Sequence, residues 1–244
     1  MPDYAVLPYI LGVAQISGLS SIWDGWDFSY LLSILLGVIP SLLCITIHEL
    51  SHGYIAFRLG DDTAKRAGRL TLNPLKHLDP IGLLMMLVFR VGWAKPVPVN
   101  MYRFKNPKRG MAVTALAGPV SNVLISLVFL LLYGLLYIPL LRSPAGGYML
   151  KMLALTAEMS LGLAVFNLIP LPPLDGSKVL FSVISDKAYY QLMRYERYGS
   201  AVLFILVATG VFGKPLSAVI NFLYIHMLPI AQFGCDVVYK LFYK

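Results

Sequence analysis

Charge is scarce in this chain: 13% of its 244 residues are Asp, Glu, Lys or Arg, where an ordinary soluble domain has about 25%. With 58% hydrophobic residues and a mean hydropathy of +0.72, that deficit excludes a soluble globule and indicates an integral membrane protein. The two cysteines, Cys44 and Cys235, provide neither a disulfide framework nor a Cys-based metal pattern and read as buried thiols. No Lys or Arg precedes the first apolar stretch, Tyr4 to Ile22, so the positive leading region of a cleavable secretion signal is missing. Repeats and low-complexity tracts are also lacking. At about 20 residues per crossing, the length suits a single domain, residues 1–244, with no large extramembrane part. The formal charge of +8 comes from basic residues in loops that flank apolar runs. These are expected to orient the chain and meet the anionic surface of a lipid bilayer, with no nucleic acid as partner.

What is abundant is long apolar sequence. Tyr4 to Ile22, broken by Pro8, is compatible with a spanning, re-entrant or surface helix. Residues 29–57 predict a span, with Glu49 the only charge between Phe28 and Arg58. Residues 81–91 are apolar but too few to cross. The stretch Gly92-Trp93-Ala94-Lys95-Pro96-Val97-Pro98-Val99 then alternates, and its two prolines lack amide donors, which suits only a sheet edge or an irregular strand. Residues 81–99 are therefore expected to enter and leave the membrane on one side. Further spans are expected at 111–141, at 149–171, which ends in a proline-rich turn, and at 201–238, broken or doubled at Lys214-Pro215. The fold class is an all-α polytopic bundle of about four to six transmembrane helices. Eleven Lys and Arg lie between Arg58 and Arg109 and four between Lys178 and Arg197, against two near Arg142. The positive-inside rule puts the first two regions, and hence the carboxyl end of the 29–57 helix, on the cytoplasmic side.

Residues His48-Glu49-Leu50-Ser51-His52 carry the chemistry. Side chains four apart share one helix face, so both imidazoles can reach one ion, while Glu49 is turned roughly 100° from His48 toward a metal-bound water. Zinc held by neutral imidazoles and a carboxylate keeps a position for water and lowers its pKa to about 7. Ionisable groups at membrane depth are costly and mark function. A third ligand is not local: positions 55 and 58 are Ile55 and Arg58, and the only later glutamates are Glu158 and Glu196. Asp175 follows Pro170-Leu171-Pro172-Pro173-Leu174 at a membrane-level turn. By itself it reads as a helix N-cap, but a zinc site short of a ligand favours it as the third. Glu158 reads as a gate or water-path residue, or as a carboxyl paired or protonated within the bundle. His77 and His226 read as interfacial or packing residues, and Trp23, Trp26 and Trp93 as interface anchors.

Three motifs in order, HELSH at 48–52, Gly118-Pro119-Val120-Ser121-Asn122, and Asn167 to Gly176 with its proline pair before Asp175-Gly176, resemble the site-2 protease family of intramembrane zinc metalloproteases. The resemblance covers about Ile39 to Lys178. It implies a Zn2+ cofactor bound by His48, His52 and Asp175, Glu49 as general base, and Asn122 and Asn167 lining the site or holding substrate. It implies a re-entrant β element at Gly92 to Val99 against which substrate is drawn out as a strand, and a minimal form without PDZ or CBS domain. The partner would be a single-span membrane protein cut for signalling or as a signal-peptide remnant, in a prokaryotic inner membrane. Oligomeric state is not legible. The competing classes are a metal transporter, which calls for a second polar path and internal repeats, and an inert zinc-binding scaffold, which would be expected to lack Glu49.

Overall fold

The computed structural model describes residues 28–80, 82, 94–141, 143–185, 198–199, 201–203, 205–207, 209–211 and 213–242. The first apolar stretch, the three tryptophans and residues 81 and 83–93 of the expected re-entrant element lie outside these.

Helix α1, Phe28–Arg58, is the expected histidine-bearing helix. It stops where Gly60 adopts a left-handed φ of +105°. The Gly60 amide then donates to Phe57 O and that of Asp61 to Ala56 O, the double closure that satisfies a helix's last carbonyls. A single turn, α2 (Thr63–Arg66), leads into a loop held by buried polar contacts. Asp61 accepts from the Thr63 amide at 3.0 Å and the Asn100 amide at 2.6 Å, so the end of α1 is tied to the segment before the next helix. Burial raises the Asp61 carboxyl, but the Thr63 and Asn100 donors and nearby Arg103 hold it below the usual carboxylate range.

Helix α3, Pro107–Leu140, begins with Asn106 capping the Arg109 amide and Pro107 in the first turn, where a missing N–H costs nothing. Helix α4, Pro144–Asn167, repeats the device with Ser143 and Pro144. It ends four residues before the expected 171, because the proline-rich turn has no amide at 170, 172 or 173 to continue the ladder. Short α5, Asp175–Val183, follows. The last helix, α6, spans Gly213–Phe242. The break expected at Lys214-Pro215 instead lies just before it, at Gly210 with φ +70°, and Pro215 falls in the first turn of α6.

Among the described helices α3, α4 and α6 are each long and apolar enough to cross a membrane. α3 is central, touching α1, α4, α5 and α6. Leu130 and Tyr133 of α3, Leu153 and Leu161 of α4, and Tyr224 and Ala231 of α6 form the apolar core. No strand occurs among the described residues. The nearest feature is an isolated antiparallel bridge between Leu78 and Ala94.

Candidate active site

The HELSH pentapeptide lies in α1 one to three turns before its end, and His48 and His52 come together on one face as a four-residue spacing requires. Their ring centroids are 4.6 Å apart, edge to face. Space for the rings is provided by α3: a Cβ at Gly118 would lie 2.5 Å from His48 Cε1 and 2.5 Å from His52 Nε2. Gly118 is thus a requirement of the crossing.

Asp175 arrives from 127 residues away. Gly176 lets the turn fold back on itself, since a Cβ there would sit 2.2 Å from Leu168 O. Asp175 is the first residue of α5 and makes no capping bond; Leu174 holds the N-cap position. The capping reading is thereby replaced by another partner set. Asp175 Oδ2 is 3.1 Å from His48 Nε2 and 3.0 Å from His52 Nε2, and the Lys178 ammonium is 3.2 Å from Oδ1. One oxygen faces the imidazoles while the other faces a cation.

The remaining ring nitrogens determine what the imidazoles offer. His52 Nδ1 is 2.8 Å from Thr114 O, and because a carbonyl only accepts, Nδ1 carries the hydrogen and Nε2 keeps its lone pair. His48 Nδ1 is 3.3 Å from the Asn122 amide, whose Oδ1 is buried without a partner. A half-turn of that amide lets Oδ1 accept from Nδ1–H and frees the second Nε2 in the same way. Outer hydrogen bonds of this kind orient histidine ligands. Two Nε2 atoms and a carboxylate oxygen within 4.8 Å of one another are a donor set suited to zinc.

These residues open on a cleft of about 260 Å³, lined among others by His48, Glu49, His52, Asn167, Asp175 and Lys178. Glu49 faces the cleft beside the ligand cluster, and its Oε2 accepts from the Val97 amide at 2.9 Å. Asn167 lies on the wall, one amide hydrogen donated to Leu163 O at 3.0 Å. Asn122, expected from the resemblance to line the site or hold substrate, is fully buried against His48 Nδ1 and is not part of the cleft lining. Glu158 is outside the lining. His77 is buried and sits 2.9 Å from Thr71 O, and His226 is exposed, bonded within α6, so both lie away from the cluster. Sequence reading missed Lys178, the Thr114 carbonyl and the Val97 amide. Only Lys178 left a trace, its three-residue spacing from Asp175; a backbone group is carried by every residue and has no signature.

Residues 138–212 match the family described as Peptidase family M50. The chain is 36% identical over 208 residues to YwhC of Bacillus subtilis, provisionally named a zinc metalloprotease, covering 84% of this chain and 90% of that one. It is 26% identical to Rip2 of Mycolicibacterium smegmatis, also provisionally named so, over 74% of this chain and 70% of the relative. It is 29% identical to the zinc metalloprotease MJ0392 of Methanocaldococcus jannaschii, over 75% of this chain and 43% of the relative. No solved structure matches. Identity at the first of these levels, across nine-tenths of the relative's length, reflects common descent, and the protein therefore belongs to peptidase family M50, the site-2 protease family, as an integral-membrane zinc metalloprotease.

Proposed function

We propose that this protease is an intramembrane endopeptidase that hydrolyses a peptide bond within or near the transmembrane helix of a single-span membrane protein, in regulated intramembrane proteolysis or the clearance of signal-peptide remnants. The observation that carries the reading is the placement of the cluster. His48 and His52 pack on Gly118, in the body of a helix long and apolar enough to cross a bilayer.

In this reading His48, His52 and Asp175 hold zinc, which when bound supplies a Lewis acid and an acidified water. Glu49 takes a proton from the attacking water; the Val97 N–H at 2.9 Å holds one carboxylate oxygen and leaves the other for that proton. Thr114 O and Asn122 fix the rings. Lys178 holds Asp175 Oδ1 while Oδ2 faces the two imidazoles, so Asp175 would offer a carboxylate oxygen to the ion. Asn167 meets substrate backbone on the cleft wall. A peptide bond in a membrane helix has its carbonyl already bonded, so the substrate must unwind before attack. The stretch Gly92 to Val99 is taken as the β element that receives the unwound strand. The basic 58–109 region supports a site toward the cytoplasmic side, and the resemblance to the family supports a prokaryotic inner membrane.

The test is cleavage of a single-span substrate by wild type and Glu49→Gln with zinc content followed in both. The expected result is full zinc in both and at least a roughly 100-fold slower reaction in the variant. Equal rates would remove Glu49 as base, and zinc binding without cleavage by wild type would favour the inert scaffold.

A further inference from the structure

Arg69 is buried, 7% exposed, and its guanidinium serves a main-chain oxygen: Nη2 donates to Lys95 O at 2.5 Å. Among the described residues no Asp or Glu forms an ion pair with it. A guanidinium buried without a carboxylate is costly, which sets this contact apart from an ordinary surface charge. Lys95 is also held through its amide, which donates to His77 O at 2.9 Å. His77 is itself fixed, buried with Nε2 2.9 Å from Thr71 O. Two residues on, the Val97 amide donates to Glu49 Oε2 at 2.9 Å. Between them stands Pro96, whose ring locks φ at about −65°. Only one soft backbone dihedral, ψ of Pro96, therefore separates the peptide plane whose oxygen Arg69 holds from the plane whose N–H meets Glu49. The Val97 side chain meets α1 at Gly53, four residues past Glu49 and on the same helix face. A Cβ there would lie 3.0 Å from Val97 Cγ1 and 2.7 Å from Leu70 Cδ2.

We infer that Arg69 is a positioning residue for Glu49: by holding the Lys95 carbonyl it fixes, through the locked φ of Pro96, the direction of the Val97 N–H and with it the orientation of the general base. The inference rests on the protease reading above and adds to it a residue that lies outside the cleft lining. The last torsion of a glutamate is broad, so its carboxylate turns freely unless a donor pins one oxygen. A donor does this only as firmly as its own peptide plane is held. Such orientation weighs heavily on rate, because a misplacement of about 1 Å caused far from the chemistry costs roughly 100-fold. Asp61 grips the same stretch farther on, at the Asn100 amide, 2.6 Å away. Several soft dihedrals lie between that amide and Val97, so Asp61 holds the loop while Arg69 aims the N–H.

The experiment compares full-length, zinc-loaded wild type with Arg69→Met, which keeps the bulk of the side chain and loses the donor, in detergent micelles. Pro96 and Pro98 carry no amide hydrogen, so hydrogen–deuterium exchange within residues 96–98 reports Val97 alone. In the variant, exchange at Val97 is expected to be about tenfold faster, with zinc content unchanged. For a single-span substrate kcat should fall about 10–100-fold while KM stays within about twofold. Added to Glu49→Gln, the same substitution should slow the residual reaction by less than about twofold, because a residue that acts through Glu49 then has no base to orient. Arg69→Lys keeps the charge but not the planar fork, and is expected to show the same pattern in smaller measure, so the role is tested even where Arg69→Met does not fold. Unchanged exchange at Val97, loss of zinc, or an equal fractional loss of rate with and without Glu49 would overturn it and leave Arg69 a support of the fold. The two readings part at the exchange measurement: Val97 protection that depends on Arg69, in a protein that binds zinc without cutting, sustains the tether and sinks the protease assignment, while cleavage with Val97 exchange indifferent to Arg69 does the reverse.

Discussion

Helix α3 crosses two neighbours at glycines, and the two crossings use the vacated space differently. At Gly118 the missing Cβ makes room for the imidazoles of His48 and His52, 2.5 Å from where it would stand. At Gly134, farther along the same helix, it makes room for backbone: a Cβ would lie 1.9 Å from Ala231 O of α6, and Gly234 in turn comes close to the α3 backbone. The second crossing is the usual way membrane helices approach closely, where burial against lipid gives little drive and small residues allow tight packing. The first uses the same residue type to house polar groups, each of which then needs a partner because none is offered by lipid. The lesson is that a small-residue crossing is a packing device by default, and becomes a site only where hydrogen-bonding groups on both sides are satisfied.

The sharpest way to break the comparison is to remove a ligand and leave packing alone. Asp175→Ala is expected to lower zinc affinity by more than the roughly 10–100-fold that loss of an outer hydrogen-bond partner costs, with little change in melting temperature of the zinc-free protein. Metal analysis after dialysis against a graded chelator checks this, and unchanged stoichiometry would show that another residue is the third ligand. Next, Gly118→Ala adds one methyl against the rings; zinc affinity should fall roughly 10–100-fold as the Nε2 atoms are displaced, again with the bundle intact by circular dichroism. Gly134→Ala should do the opposite, retaining zinc per folded molecule while costing about 1–3 kcal/mol of stability through overpacking. If both glycine variants moved zinc and stability together, the two crossings would not be separable.

The smallest expected effect lies outside the membrane. Because the Asp61 carboxyl is held below its ordinary range when folded, its contribution is present above the unfolded value of about 4 and is lost as pH falls through the lower folded value. Protonation then loosens the tie from Asp61 to Asn100. Asp61→Asn should flatten the acid side of the stability profile between about pH 4 and the folded midpoint, measured by thermal melts at stepped pH; an unchanged profile would show that the carboxylate is not what holds the loop.

Some parts of the site were plain in the sequence and others were not, for reasons that follow from range. His48, Glu49 and His52 are one helical turn, and helix periodicity alone fixes their relative directions. Asp175 was visible only as a candidate, because a carboxylate after a proline turn fits a cap as well as a ligand, and its contact partners are 127 residues away. Asn122 was singled out by its motif, with lining the site and holding substrate both left open, since no local pattern tells the front of a histidine from its back. The helical bundle was legible from apolar runs; the β element expected at Gly92 to Val99 has, among the described residues, only the isolated bridge between Leu78 and Ala94 beside it.

Composition and the spacing of two histidines by themselves determined that this chain suits a membrane and that two imidazoles can reach one metal ion, because transfer energy and the 3.6-residue turn act on each segment alone. Which carboxylate completes the set, which nitrogen each ring offers, and which amide steadies Glu49 were decided only when α1, α3, α5 and the segment carrying Val97 came together. Those choices are hydrogen bonds between groups far apart in the chain, and such bonds exist only once the backbone has closed around them.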